Sequence, residues 1–266
     1  MIHRFGRHDT ACCPYAGLAM DAAGNLYGTG GAAFELSPPT GPGKWTETVL
    51  HRFTGRNGDG AGPFAGVILD TAGNLYGTTE EGGKGCAPPG CGIVYELQPM
   101  PDGSWKEQIL HDFPAFTGDG EFPGVGALTM DGAGNIYGTT DIGGARGYGT
   151  VFELTPEGNG GWREAILHSF DGGRNGFGAS SGVVFGPSGE LYGTTIGGGG
   201  ACECGLVYKL SPTQGGQWKY RVLHRFTGYD GAQPDANLII DRSGNLYGTT
   251  ATGGAGGAGV VFEITP

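Results

Sequence analysis

The sequence predicts an all-β fold, a five-bladed β-propeller with four antiparallel strands per blade, and three observations carry that expectation. Three short blocks recur five times each, the recurrences are spaced at blade length, and the strand missing from the last repeat is present at the start of the chain. The first block, GN(L/I)YGT, occupies Gly24–Thr29, Gly73–Thr78, Gly134–Thr139 and Gly244–Thr249, with GELYGT at Gly189–Thr194. The second, (A/V)(F/Y)(E/K)(L/I)xP, ends at Pro38, Pro99, Pro156, Pro212 and Pro266. The third, (L/I)HxF, is centred on His3, His51, His111, His168 and His224. The block tyrosines Tyr27, Tyr76, Tyr137, Tyr192 and Tyr247 stand 49–61 residues apart, the length of a propeller blade.

Within a repeat the first strand reads AGVILD (Ala65–Asp70) and the second NLYGTT (Asn74–Thr79). Asp-x-x-Gly-Asn joins them as a tight hairpin, because the Asp side chain can bond the backbone that follows while Gly and Asn tolerate positive φ. The third strand is IVYEL (Ile93–Leu97) and the fourth WKEQILHDF (Trp105–Phe113), whose alternation places Trp105, Ile109, His111 and Phe113 on one face. Trp45, Trp105, Trp162 and Trp218 open the fourth strand in four repeats, but the sequence stops at Pro266, after the third strand of the fifth. Met1–Phe5 (MIHRF) supplies the missing strand, so the N-terminus is expected to complete the last blade and close the ring. The expected organisation is a single domain over 1–266, with repeats at about 6–53, 54–113, 114–170, 171–226 and 227–266.

Glycine is abundant, at 59 copies, without a collagen period; with 38% hydrophobic residues and aromatics at fixed places, it belongs to turns and close-packed strands. The formal charge of −11 repels phosphate backbones and anionic headgroups, which argues against nucleic-acid and membrane partners. No apolar run approaches the ~20 residues of a bilayer span. MIHRFGRHDT has no signal-peptide core, and a start inside a strand suggests that an upstream export signal was removed. The chain is expected to act as a monomer.

The NLYGTT and VFxLTP blocks resemble the GloVer tandem repeats of bacterial surface and secreted proteins, over essentially the whole chain. The Asp-x-x-Gly-Asn-Leu-Tyr turn is similar, less closely, to that of NHL and streptogramin-lyase propellers. The resemblance implies an exported bacterial protein, extracellular or at the cell surface. The fourth repeat departs from the pattern at Gly186-Pro187-Ser188-Gly189-Glu190, and the first has a truncated loop at Thr29–Ala33.

A residue found in every repeat most simply serves the blade, so the five block histidines read as packed, hydrogen-bonded groups. His8 belongs to no block. All six cysteines fall in loops on one end of the blades: Cys12 and Cys13 before the first blade, Cys86 and Cys91 around APPG, Cys202 and Cys204 around Glu203. Disulfides are the first reading, with Cys86–Cys91 an easy local pair. A vicinal or Cys-x-Cys bridge is strained, so Cys12 or Cys13 pairing with Cys202 or Cys204 is the option left for the others. A zinc or copper site from His8, Cys12, Cys13, Cys202 and Cys204 is the sharper alternative. Asp9, Asp59, Asp119 and Asp230, with Asn175 in the fourth repeat, form an acidic series ahead of the first strands. These read as Asp-Gly turns, or as a ring of oxygens in which Asp59, Asp119 and Asp230 hold Ca²⁺.

The loops between second and third strands differ most among repeats. They present Glu80 and Glu81 in the second repeat, and Asp141, Arg146 and Tyr148 in the third. The truncated first loop leaves a notch beside Arg7, His8 and Asp9, with Tyr15 nearby. The leading functional expectation is a carbohydrate or small-molecule binding protein whose ligand meets Arg7, Tyr15, Asp59, Asp119, Asp141, Arg146, Tyr148, Asn175 and Asp230. The alternative is a glycoside hydrolase or lyase using His8, Asp9, Glu80 and Glu81 as acid, base or nucleophile. A purely structural surface protein is the third reading.

Overall fold

The computed structural model describes residues 2–6, 11–115, 118–124 and 126–266. The chain forms two compact units, Met1–Phe113 and Pro114–Pro266. The first holds two antiparallel sheets of four strands: Ala19–Met20, Leu26–Thr29, Ala33–Ser37 and Thr46–His51, then Ile68–Leu69, Leu75–Thr79, Ile93–Pro99 and Trp105–Asp112. Among the described residues the second unit holds three sheets of more than two strands. Two have four strands (Thr129–Met130, Ile136–Thr140, Thr150–Pro156, Trp162–Ser169; and Val184–Phe185, Leu191–Thr195, Leu206–Pro212, Trp218–Arg225). The last has three: Ile239–Ile240, Leu246–Thr249 and Val261–Ile264. Within each of these five sheets the strands pair in chain order, and the fold class is the five-bladed β-propeller.

The repeated blocks explain why these segments form these sheets. In the first hairpin Asp21 Oδ1 accepts from the backbone N–H of Ala23 and Asn25, at 2.9 and 2.8 Å. Its Oδ2 accepts from Asn25 Nδ2 and from the Tyr27 hydroxyl, at 2.8 and 3.2 Å. Asp70, Asp131 and Asp241 repeat this set with their own Asn and Tyr. In three sheets the same tyrosine also donates to the block glutamate: Tyr76 to Glu96, Tyr137 to Glu153 and Tyr247 to Glu263. The fourth repeat lacks the Asp, and there Lys209 Nζ pairs with Glu190 at 2.9 Å and lies over the Tyr192 ring. One glycine of each YGT triplet is a packing requirement: at Gly77 a Cβ would collide with the ring of Tyr95 from the neighbouring strand.

The fourth strand corrects a sequence expectation. A bulge between Ile109 and His111 shifts its register, so Ile109 is 39% exposed while Leu110 and Phe113 are buried. One inserted residue reverses the alternation. Equivalent bulges interrupt the pairing in the first, third and fourth sheets.

Of the segment Met1–Phe5, expected as the fourth strand of the last sheet, Ile2–Phe5 are in no strand and Met1 lies outside the described residues. His3 and Phe5 nevertheless act on the first sheet as the end of a fourth strand would. His3 Nε2 lies 2.8 Å from Glu47, and the Phe5 ring meets Phe34 edge-on. His51 and Phe53 repeat this arrangement toward Glu107 and Tyr95.

Loops that precede a first strand meet the loop between second and third strands of the same sheet. Gly60–Ala61 pairs with Glu81–Gly82, and Gly120–Glu121 with Ile142–Gly143. Phe177 bridges Gly197, and Ala232 bridges Thr252. Gly82, at φ +90, is required there because a Cβ would strike the backbone of Asp59 and Gly60. These pairings hold the two loops of a repeat together at one end of its sheet.

Candidate functional site

In the first unit the histidine of one sheet meets two acids of the next repeat. His51 Nε2 stands 3.2 Å from Asp59 Oδ1 and 3.5 Å from Glu107 Oε1, with all three side chains about one-fifth exposed or less. Asp59 is also a turn residue, since its Oδ2 accepts from the Thr54 backbone N–H and hydroxyl at 2.7 and 2.6 Å. Burial pushes the Glu107 carboxyl up; His51 pulls it back, and the nearby Asp59 adds to the rise.

The second unit contains variants of the same set. Glu164 shares a hydrogen bond with Asp119, and burial, then the Asp119 charge and that bond, push its carboxyl up to about 9. Two acids at hydrogen-bond distance hold one proton between them. His224 Nε2 lies 2.9 Å from Asp230 Oδ2, while Thr227 donates its N–H and hydroxyl to Asp230 Oδ1. Burial opposes ionisation of Asp230, but these bonds outweigh it and hold its carboxyl below the usual range. In the fourth repeat both acids are replaced. Asn175 stands for the Asp and Tyr220 for the Glu, and the Tyr220 ring stacks on His168 at 4.0 Å. Burial drives His168 down to about 4.

These clusters sharpen the expectation for the acidic series. The aspartates at 59 and 230 accept hydrogen bonds within turns, and each also meets a block histidine, which gives those histidines the hydrogen-bonded role expected of them. Sequence reasoning missed the glutamates. Glu47, Glu107 and Glu164 each follow a strand-opening Trp by two residues, and Tyr220 holds that place after Trp218. That spacing is the signal that could have found them.

Other predicted site residues are dispersed. Arg7, His8 and Asp9 lie outside the described residues, so the notch falls there too. Glu81 sits half-buried in its short strand, and Glu80 is half-buried with its backbone N–H bonded to Gly62. Asp141 accepts from the Ser180 hydroxyl at 3.0 Å, Asn175 donates to Asp171, and Arg146 is exposed. Tyr15 is 73% exposed beside Phe64, and Tyr148 is exposed beside Phe177.

Cys86 and Cys91 form the expected disulfide. Cys202 is bonded to Cys204, which overturns their expected pairing with Cys12 or Cys13 and removes their thiolates from a zinc or copper set. The residues are two apart with Glu203 at φ +51 between them, a local backbone reversal that brings the two sulfurs together. Cys12 and Cys13 are in no disulfide, and their sulfurs lie 3.2 Å apart.

A cavity of about 300 Å³ lies in the second unit, lined by His224, Phe226, Asp230, Phe262, Glu263 and Ile264. It flanks the third strand of the three-stranded sheet. Val261 there is 81% exposed, whereas its counterparts Val94, Val151 and Val207 are fully buried. Tyr229, 92% exposed, stands in the same loop as Asp230. No helix is long and apolar enough to cross a membrane.

No curated protein matches the chain in sequence. Among solved structures it is similar to a protein provisionally named a gluconolactonase, at 14% identity and a TM-score of 0.53, covering 94% of this chain and 73% of that one. At that identity the likeness bears on the fold alone. Weaker likenesses are to PorZ of Porphyromonas gingivalis, a bacterial surface component of the type-IX secretion system, and to a protein of unknown function from Dyadobacter fermentans. The first has 14% identity and a TM-score of 0.48, covering 88% of this chain and 30% of PorZ. The second has 13% identity and a TM-score of 0.46, covering 93% and 73%. Residues 160–266 match the model of the Gloeobacter/Verrucomicrobia repeat. The blocks of that matched segment recur in all five sheets, so the rest of the chain is similar to it in pattern.

Proposed function

We propose that this chain is a carbohydrate-binding protein of the bacterial exterior, with its principal site in the cavity beside Asp230. The observation that carries the reading is the lining of that cavity. Phe226 and Phe262 supply apolar lining, while His224, Asp230 and Glu263 supply hydrogen-bonding groups, a pairing that suits a sugar's apolar face and its hydroxyl rim. Tyr229 adds an exposed ring at the same loop. Two disulfides support a location outside the reducing cytoplasm. The charge of −11 disfavours nucleic-acid and anionic-membrane partners, and a monomer is sufficient for this site.

Glycan-array screening followed by calorimetry tests the reading. Tyr229→Ala and Asp230→Asn are each expected to weaken the selected oligosaccharide about tenfold, roughly 1.4 kcal/mol. Absence of any glycan bound at millimolar concentration, or variants that bind like the parent, would overturn it. Release of reducing ends during the same incubation would instead assign a hydrolase.

A further inference from the structure

We propose that His51, Asp59 and Glu107 form a binding site for a first-row divalent transition cation. The three are brought together from the end of one fourth strand, the loop that follows it, and the start of the next fourth strand. Their ligand atoms all lie within 4.8 Å of one another. Two of the three edges, at 3.2 and 3.5 Å, bracket the ~3.3 Å edge of a tetrahedron with ligand bonds of ~2.0–2.1 Å.

The donor chemistry selects the ion class. One imidazole and two carboxylates suit zinc, cobalt or manganese, whereas Ca²⁺ takes six to eight oxygens. This changes the sequence expectation for Asp59, from one oxygen in a calcium ring to one ligand of a mixed nitrogen and oxygen set. Three protein ligands leave a position for water, and His51 is solvent-accessible enough to admit it.

Two further observations point to a ligand. Glu107 Oε1 is buried and accepts no hydrogen bond among the described residues, so a carboxylate oxygen sits in the cluster beside the imidazole and the Asp59 carboxylate without a donor of its own. Asp59 is meanwhile held in place from behind by both donors of Thr54, the outer-shell support that orients metal-binding carboxylates. The fourth repeat supplies an internal control. There the two acids are replaced together, by Asn175 and Tyr220, and His168 stacks on the phenol ring.

The test uses the full chain, free of affinity tags and stripped with chelator, titrated with Co²⁺ in calorimetry and absorption. Binding with weak visible d–d bands and no intense near-ultraviolet thiolate band is expected, which separates this site from Cys12 and Cys13. Asp59→Asn and Glu107→Gln should each weaken the cobalt site by at least about tenfold. His168→Phe should leave it unchanged. Mn²⁺ should broaden the His51 imidazole resonances of the parent chain, a readout that does not depend on any variant folding. The proposal is overturned if the parent takes up no cobalt, if its spectrum is that of a thiolate complex, or if the two variants bind like the parent.

Discussion

At the junction of the first and second sheets a block histidine faces two carboxylates; at the junction of the third and fourth sheets the corresponding histidine faces a phenol. His51 is held by Asp59 and Glu107, whereas His168 stacks on Tyr220, whose hydroxyl turns away to donate to the Asn175 backbone carbonyl at 2.7 Å. The same backbone position thus supports two self-consistent solutions. In one, buried acids need a cation, whether a proton on the imidazole or a metal. In the other the acids are gone and the imidazole is kept neutral among rings. Changing only one member would strand a buried charge, so the three positions have to change together. The fourth repeat shows this twice, because its hairpin keeps Tyr192 but exchanges the Asp–Asn pair for the ion pair of Lys209 and Glu190.

Removing Tyr220 should break the neutral solution most severely. Its ring meets His168, Phe170 and Tyr208. Tyr220→Ala deletes that packing and is expected to cost about 3–5 kcal/mol in urea unfolding. A loss below about 1 kcal/mol would mean that the stack is incidental, and the comparison would lose its aromatic half.

The acid limb of stability sharpens the same contrast. His168 is driven down to about 4 in the folded chain from an ordinary value of 6.5. Between those values the unfolded chain takes up a proton that the native state refuses, so stability falls as pH drops from about 6.5 toward 4. The span corresponds to at most about 3 kcal/mol. His168→Phe keeps a ring against Tyr220 and removes the titrating group, so unfolding free energies measured from pH 7 to 4 should lose that part of their slope. An unchanged slope would show that His168 is protonated with little penalty.

The repeat architecture was legible because its determinants are local. Asp, Asn and Tyr of four hairpins bond one another within six residues, and the glycine beneath Tyr95 sits in the same block. The clusters were legible only in part. Asp59, Asp119 and Asp230 announced themselves through Asp-Gly turns. Glu107 did not, because its partner His51 lies 56 positions away and only the folded sheets bring them together. The fourth-strand bulge left no Gly or Pro signature at Leu110, so alternation was extended through it. The Cys202–Cys204 bond was discounted on ordinary spacing rules, which do not foresee the reversal at Glu203.

The smallest effect tests what surrounds Glu107. Tyr95 and Tyr208 occupy the position held by Phe34, Phe152 and Phe262 in the other repeats, and both hydroxyls are buried without a hydrogen-bond partner among the described residues. An unsatisfied buried hydroxyl is a cost, so Tyr95→Phe and Tyr208→Phe should each stabilise the chain by about 1 kcal/mol. The two differ in their neighbours. Burial, and then the Glu107 charge, raise the Tyr95 phenol, whereas Tyr208 packs against Tyr220. Equal gains would mean that Glu107 draws nothing from Tyr95, consistent with a carboxylate whose free oxygen serves a cation. A loss at Tyr95→Phe beside a gain at Tyr208→Phe would instead mean that the phenol donates to Glu107. The acid pair beside His51 would then be balanced within the protein, as the histidine at the other junction already is.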